Sequence, residues 1–307
     1  MTDKSFSSQE IQQGHLEIDG EPASPVSDEP TMEIRYSADI VRYKTMTNSE
    51  LRDTFVVDNL FQPDVVHLTY SDIDRGVIGS AVPVSRELDV PVFKDLASDY
   101  FAQRREVGIV NIGGKGSVDV DGQTYPMDRL DSLYVGRESK GILFRSDDGD
   151  DPAKFYFVSY PAHKRYETTH IPKSKANMLK MGDSKTSNKR IIFQPIHPDI
   201  VTTCQIVMGF TILEEGNVWN TFPPHTHKRR SEFYMYFDLE PDARVFHFMG
   251  EQDNMRPMIL KNGEVALSPI WSMHCGAGTS AYTFIWSMGG ENQEFGDMDH
   301  IAPGSVS

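Results

Sequence analysis

Short apolar blocks broken by turn signals run through most of the chain, and they predict β-strands. Residues 117–120 alternate apolar and polar side chains, Asp121 and Gly122 suit a tight turn, and residues 123–125 resume the alternation, which predicts a hairpin. The other strand candidates of this first block are 108–112, 133–136 and 153–158.

A second block of strand candidates begins near Arg190, and helical periodicity is almost absent from the chain. The candidates of this block are 205–210, 233–237, 244–249, 264–267 and 282–288. Short strands at this spacing predict an all-β protein with a sandwich or barrel in each half. We expect an N-terminal β domain over residues 34–180 and a C-terminal one over residues 181–307, with a connecting segment at 163–190.

Composition and charge then narrow the class of protein. The 307 residues carry a formal charge of −15, which argues against affinity for nucleic acid or for an anionic membrane. Residues 1–33 hold eight acidic side chains and one lysine, so we expect a flexible acidic extension there. Two cysteines, the lack of a secretory signal pattern and the lack of a bilayer-length apolar run predict a cytoplasmic protein.

The most informative feature is His225-Thr226-His227, with Glu232 five residues further on. In an extended segment His225 and His227 leave the same face, whereas Glu232 is an odd number of residues away and would point to the other face. A turn must therefore lie between them. Beyond it, Glu232, Tyr234 and Tyr236 would face a cavity, while the alternate apolar residues of 233–237 would pack against the rest of the fold.

A fourth donor has two candidates, His247 and His274. His247 lies within an apolar strand candidate, where a hydrogen-bonded core histidine is the more frequent outcome. His274 follows a turn, a strand and a proline-ended turn, which suits a late ligand, so we prefer it. Imidazole and carboxylate groups that converge on one point bind first-row metals, with Zn, Mn, Fe, Co and Ni all suited to this set.

These residues resemble the two motifs of the cupin superfamily. His225, His227 and Glu232 match its first motif, which is His-x-His, three or four intervening residues, and then Glu. The second motif is matched by Gly263, Pro269 and His274, while Trp271 and Gly278 replace its second Gly and its Asn. The resemblance implies two cupin-like β domains, with the metal in the C-terminal one.

Longer strings resemble the family of 5-keto-4-deoxyuronate isomerases. They are found at 104–114, 131–136, 223–230, 272–274, 282–286 and 290–293. The resemblance covers nearly the whole chain after the first 33 or so residues. It implies a homohexamer, a zinc ion held by His225, His227, Glu232 and His274, and a keto-uronate substrate from pectin breakdown, converted by an intramolecular oxidoreductase of the aldose–ketose isomerase type.

Such an isomerase must also bind a carboxylate and carry a proton. Arg229 and Arg230 could bind the carboxylate, although a solvated or interface-paired turn explains them equally well. The proton carrier is not identified by the sequence, and its candidates are Tyr234, Tyr236, Asp297, Asp299 and His300. A hydride shift in place of proton transfer stays open. Alternative functions are another sugar-acid isomerase, for 5-deoxyglucuronate or a hexuronate, then an iron cupin dioxygenase or a non-catalytic sugar-binding cupin.

Overall fold

The computed structural model describes residues 31–307. Residues 1–30 of the predicted flexible extension, 1–33, therefore lie outside the described residues. The first strand begins at Thr31, slightly before the predicted start of the folded body near Ile34. Within residues 31–307, no helix has both the length and the apolar character needed to cross a bilayer.

The N-terminal half consists of a seven-stranded sheet and a four-stranded sheet. The larger sheet has the order β1-β3-β4-β11-β6-β9-β12 and the smaller one β5-β10-β7-β8. The strands are β1 (Thr31–Arg35), β3 (Val66–Ser71), β4 (Val77–Ala81), β5 (Leu88–Asp89), β6 (Arg105–Asn111), β7 (Gly116–Val120), β8 (Gln123–Met127), β9 (Ser132–Val135), β10 (Ile142–Ser146), β11 (Phe155–Pro161) and β12 (Thr169–Ile171).

The C-terminal half repeats this arrangement with a seven-stranded and a five-stranded sheet. Their orders are β13-β14-β15-β22-β17-β20-β2 and β19-β18-β21-β16-β23. The strands are β2 (Val56–Val57), β13 (Asn177–Met181), β14 (Arg190–Ile196), β15 (Val207–Leu213), β16 (Trp219–Thr226), β17 (Arg230–Phe237), β18 (Val245–Glu251), β19 (Asn254–Leu260), β20 (Val265–Ser268), β21 (Met273–Gly278), β22 (Thr283–Gly290) and β23 (Asp299–His300).

The predicted hairpin is present, and two short helices precede the first long run of strands. Strands β7 and β8 are joined at Asp121 and Gly122, whose φ values of 54° and 85° are those that a two-residue turn of this handedness requires. Helix α2 (Asn48–Phe55) begins after Thr47, whose side chain accepts from the backbone of Glu50 while the Glu50 carboxylate accepts from the backbone of Thr47. A four-residue helix, α1 (Ile40–Tyr43), precedes it.

Three apolar clusters hold these sheets together. One fills the N-terminal sandwich between its two sheets. A second fills the C-terminal sandwich and includes Tyr43, Leu51 and Phe55 of the two helices. The third lies between the two halves and joins side chains of both seven-stranded sheets. The prediction of an all-β, two-sandwich, cupin-like fold is confirmed, and the sheets of residues 31–307 do not close into barrels.

One early segment of the chain belongs to the C-terminal half. Residues 40–57 pack on that half, and β2 pairs with β20 there.

The segment 163–190, predicted as a plain connection, contains two strands. They are β12 and β13, which pair with β9 and β14. Both are edge strands, so they need little apolar alternation, and this is why the pattern missed them. The boundary at residue 180 stays a prediction.

Candidate metal centre

Three strands and one turn bring the candidate metal-binding side chains together. Strand β16 ends at Thr226, the chain turns back through Lys228 and Arg229, and β17 begins at Arg230, whose N–H donates to the carbonyl of His227 at 3.1 Å. The turn inferred from the odd spacing is therefore present. His274, on β21, lies directly across from His225 of β16 in the antiparallel ladder.

The four predicted donors, His225, His227, Glu232 and His274, form one buried group, which we name the metal group after the ion that it could hold. Their ligand atoms all lie within 4.8 Å of one another, and among the described residues this is the group of histidines and carboxylates that could hold a metal. Glu232 Oε2 lies 2.8 Å from His227 Nε2, 3.1 Å from His274 Nε2 and 4.0 Å from His225 Nε2. None of the four is more than 4% exposed.

A hydrogen bond outside the group fixes which nitrogen of His227 faces inward. His227 Nδ1 donates to the carbonyl of Arg230 at 3.0 Å, so in the neutral ring Nε2 carries a lone pair toward Glu232. A lone pair and a carboxylate oxygen at 2.8 Å repel each other unless a positive charge lies between them. This donor set therefore fits a bound cation.

Burial and mutual contacts also set the protonation of the group. Burial, then the neighbouring His274, holds the pKa of His225 well below its usual range, and burial likewise lowers the pKa of His274. Burial raises the pKa of Glu232, but its contacts with His227 and His274 outweigh burial and hold that pKa well below its usual range. The carboxylate is thus ionised and these two imidazoles neutral at pH 7, the forms that bind metals.

His247 faces the same interior but is not one of the four donors. Its Nδ1 forms a 2.8 Å hydrogen bond with the Tyr236 hydroxyl, and its Nε2 lies 3.3 Å from Ser268 Oγ. Burial lowers its pKa to about 3, so the ring stays neutral. The structure brings His274, rather than His247, into the group.

The two faces of β17 divide as the alternation predicts. Tyr234 and Tyr236 lie on the inner face, in the C-terminal cluster, while Phe233, Met235 and Phe237 lie in the cluster between the halves.

The family model described as KduI/IolB matches residues 90–302. The chain belongs to the KduI/IolB family.

Curated relatives agree with this membership. The chain is 47% identical over 271 residues to the 4-deoxy-L-threo-5-hexosulose-uronate ketol-isomerase of Shouchella clausii, which covers 88% of this chain and 98% of the relative. It is also 47% identical over 267 residues to the protein of that name from Formosa agariphila, covering 87% of this chain and 95% of the relative. The predicted family, and with it the predicted isomerase class, is confirmed.

A solved structure supports the fold. The crystal structure of an IolB-like protein from Salmonella typhimurium superimposes on this KduI/IolB chain with a TM-score of 0.61 at 12% identity, over 74% of this chain and 87% of that one. At this identity the similarity establishes the fold alone.

The C-terminal segment of this KduI/IolB chain runs beside the metal group. Asp297 accepts from Arg229 Nε at 3.0 and 2.8 Å through its two oxygens, and Asp299 lies 3.7 Å from the same guanidinium. Strand β23 pairs with β16, with His300 opposite His225 and their ring centroids 6.1 Å apart. Directly paired residues share one face of a sheet, so His274, His225 and His300 form a row across three strands.

The two arginines predicted for carboxylate binding differ in their surroundings. The Arg229 guanidinium is paired with Asp297. Arg230 is fully buried and donates to the main-chain oxygen of Asp297 at 3.0 Å, with Glu232, Asp297 and Glu294 all near enough to act on its charge. Arg229 is thus paired with a carboxylate, whereas Arg230 forms no salt bridge within residues 31–307, and its Nε and Nη1 have no hydrogen-bond partner there.

Arg190 is a feature of the interior that the sequence did not reveal. It lies on the same face of β14 as Ile192, which belongs to the C-terminal cluster. Its guanidinium is buried, donates to the carbonyl of Asn188 at 2.8 Å, and lies near Tyr282 and Tyr234. No carboxylate of residues 31–307 forms a salt bridge with it. Arg190 opens its strand 35 residues before His225, and no spacing rule connects the two.

Proposed function

We propose that this chain is a metal-dependent ketol-isomerase that interconverts 4-deoxy-L-threo-5-hexosulose uronate and 3-deoxy-D-glycero-2,5-hexodiulosonate in pectin and uronate breakdown. The observation that carries the proposal is the buried group of His225, His227, Glu232 and His274, in a chain 47% identical to relatives that bear this name. We further expect a cytoplasmic homohexamer.

Three imidazoles and a carboxylate suit zinc, and they also suit Mn, Fe, Co and Ni. When bound, the metal would supply Lewis acidity for the substrate carbonyl and the neighbouring hydroxyl. The four side chains themselves would fix the position at which those two oxygens lie, since all four are held by strand pairing or by buried contacts.

The proton transfer requires a side chain that can accept and return a proton and that reaches the substrate. His300 meets this requirement by its chemistry and position, because it is an imidazole that continues the row of His274 and His225 at the edge of the sheet and is exposed. We propose His300 as the proton carrier, moving the proton between the two substrate carbons at a ring nitrogen.

The other candidates are less suited to be the base. Burial, and then Glu232, holds the pKa of Tyr234 well above its usual range, so Tyr234 stays protonated and would donate a hydrogen bond to a substrate oxygen. The Tyr236 hydroxyl forms a hydrogen bond with His247, and the Asp297 carboxylate accepts a hydrogen bond from Arg229. Asp299 is 60% exposed and turned toward Arg229.

For the substrate carboxylate we propose Arg190. A buried guanidinium without an acidic partner is costly, and an incoming carboxylate would remove that cost while forming charge-assisted hydrogen bonds. Of the arginines predicted from the sequence, Arg229 is paired with Asp297, and Arg230 lies close to the charges of Glu232, Asp297 and Glu294, which would oppose a further carboxylate.

The test supplies purified protein with the unsaturated uronate released by pectin lyase action, after its opening to the keto-uronate, and follows product formation with and without chelator. Metal content is measured on the same samples, and 5-deoxyglucuronate serves as the comparison substrate. We expect turnover of the keto-uronate, lost with chelation and restored by metal. Absence of turnover, or faster turnover of 5-deoxyglucuronate, would refute the assignment. Solvent deuterium should appear at the migrating position, and its absence would favour a hydride shift.

A further inference from the structure

A turn of the N-terminal sandwich reaches across to the start of β17, the strand that carries Glu232. Between β3 and β4 the chain makes a short turn at Ile73–Arg75. From this turn the Asp74 carboxylate accepts a hydrogen bond from the backbone N–H of Ser231 at 3.1 Å. Ser231 directly precedes Glu232, so this hydrogen bond connects the N-terminal half to the backbone of the residue before a candidate metal-binding residue.

This turn has an unusual backbone conformation, and a buried arginine binds its backbone. Asp74 and Arg75 have φ values of 49° and 53°, in the left-handed region that side-chain-bearing residues seldom adopt. The buried guanidinium of Arg105 donates to the carbonyl of Arg75 at 2.6 Å, and also to Ser159 Oγ at 3.1 Å. Left-handed residues persist where surrounding contacts fix them, often at functional sites.

The packing around the turn leaves little room for movement. Tyr160 of β11 stacks on Phe233 of β17, with centroids 5.9 Å apart and ring planes 19° apart. A Cβ at Gly289, on the neighbouring strand, would lie 2.5 Å from the Tyr160 ring, and one at Gly76 would lie 2.6 Å from the Phe233 ring. Such close packing transmits a displacement of the turn to β17 rather than absorbing it.

We propose that Asp74 is a positioning residue for the metal group. By holding the backbone at Ser231 it fixes where Glu232 Oε2 lies relative to His227 and His274, with which it makes contacts of 2.8 and 3.1 Å. The inference rests on the proposed function, since it presumes that the four residues bind a metal. It assigns to the N-terminal half, which lacks the metal-binding side chains, a direct effect on metal affinity.

The test compares three variants as full-length protein. Asp74→Gly removes the carboxylate and tolerates the positive φ, so it isolates the hydrogen bond from backbone strain. Asp74→Asn retains an acceptor oxygen and also tolerates this conformation. Asp72→Ala is the matched control, because Asp72 precedes the same turn but accepts from the backbone of Ser37 at 2.8 Å.

Metal-free protein is titrated with Co²⁺ against a competing chelator, and the visible absorption of the bound ion reports the geometry of its ligands. Denaturant unfolding of the metal-free proteins is measured in parallel. We expect Asp74→Gly to weaken Co²⁺ binding by about 10-fold and to change the absorption spectrum, as loss of a supporting contact at a metal site does. Asp74→Asn should recover most of the affinity, and Asp72→Ala should match the wild type.

Wild-type Co²⁺ affinity and spectrum in Asp74→Gly would overturn the proposal, whether or not the variant is less stable, because the role of Asp74 would then be structural. A Co²⁺ loss in Asp72→Ala as large as that in Asp74→Gly would overturn it as well. If the wild-type protein binds no Co²⁺, the metal site of the proposed function fails and this inference fails with it.

Discussion

Replacing His274 or His247 by alanine should have different consequences, although the two rings stack with centroids only 6.4 Å apart. His274→Ala removes a donor and should abolish metal retention. His247→Ala should keep the metal but lower the free energy of unfolding. The loss of the imidazole leaves the buried Tyr236 hydroxyl without its 2.8 Å partner, at about 1–3 kcal/mol. The cavity left at this fully buried position adds about 2–3 kcal/mol.

The assay measures metal per subunit by mass spectrometry after gel filtration, and the free energy of unfolding by guanidinium denaturation. His247→Asn is the matched variant, because an amide near the position of Nδ1 can keep the bond to Tyr236, and it should lose roughly half as much stability. Full metal occupancy in His274→Ala would refute the assignment of the fourth ligand. Metal loss in His247→Ala without a loss of stability would refute the structural role of His247.

Three further predictions concern protonation, substrate binding and packing. Burial lowers the pKa of His247 to about 3, so the unfolded chain binds more protons than the folded one below pH 6.5. His247 should therefore contribute a loss of about 1.4 kcal/mol per pH unit to the stability of metal-free protein as pH drops from 6.5 toward 3, in addition to the losses from His225 and His274, and an unchanged slope in His247→Asn would contradict this. Arg190→Met should raise KM for the keto-uronate about 10- to 100-fold through loss of a charge-assisted hydrogen bond, and an unchanged KM would exclude Arg190 as the carboxylate partner. Gly289→Ala should cost about 1–3 kcal/mol of unfolding free energy because its Cβ would lie 2.5 Å from Tyr160, whereas Gly296→Ala, with nothing within 4 Å, should be neutral; equal effects would refute the packing argument.

Three residues of the metal group were predictable because His225, His227 and Glu232 lie close together in the sequence and strand geometry is periodic, whereas His274 lies 42 residues after Glu232 and was predicted from the turns and strand that precede it. Alternation placed Glu232 on the wrong face for a single strand, and this parity required the turn that the structure contains at Lys228 and Arg229. Alternation also separated the inner face of β17 from its outer, apolar face. These inferences need only a period of two and a chain direction.

Arg190 and Asp74 were not predictable by the same reasoning. The contact of Asp74 with Ser231 and the position of Arg190 near Tyr282 and Tyr234 depend on sheet order and packing between sheets. No pattern within β14 or the Ile73–Arg75 turn indicates these partners. The edge strands β12 and β13 were not predicted for a different reason. Exposed edge strands carry polar side chains, and their sequence pattern resembles that of a loop. Local pattern identified which residues could bind a metal, but the supporting contacts depend on tertiary structure.

The border between the two halves contains more than apolar packing. Besides Asp74, the buried Glu106 of β6 accepts from the backbone N–H groups of Cys204, Gln205 and Ile206 at 2.7, 2.8 and 3.0 Å, and from the Tyr134 hydroxyl at 2.9 Å. Burying the Glu106 carboxylate costs free energy that burying an apolar side chain would not cost. The need to cover a sheet face therefore does not explain why a glutamate lies there. Hydrogen bonds of this kind specify position. Because the interior of the N-terminal sandwich is an apolar cluster while its border anchors the chain before β15 and the start of β17, we infer that this half serves to place the C-terminal strands that surround the metal group.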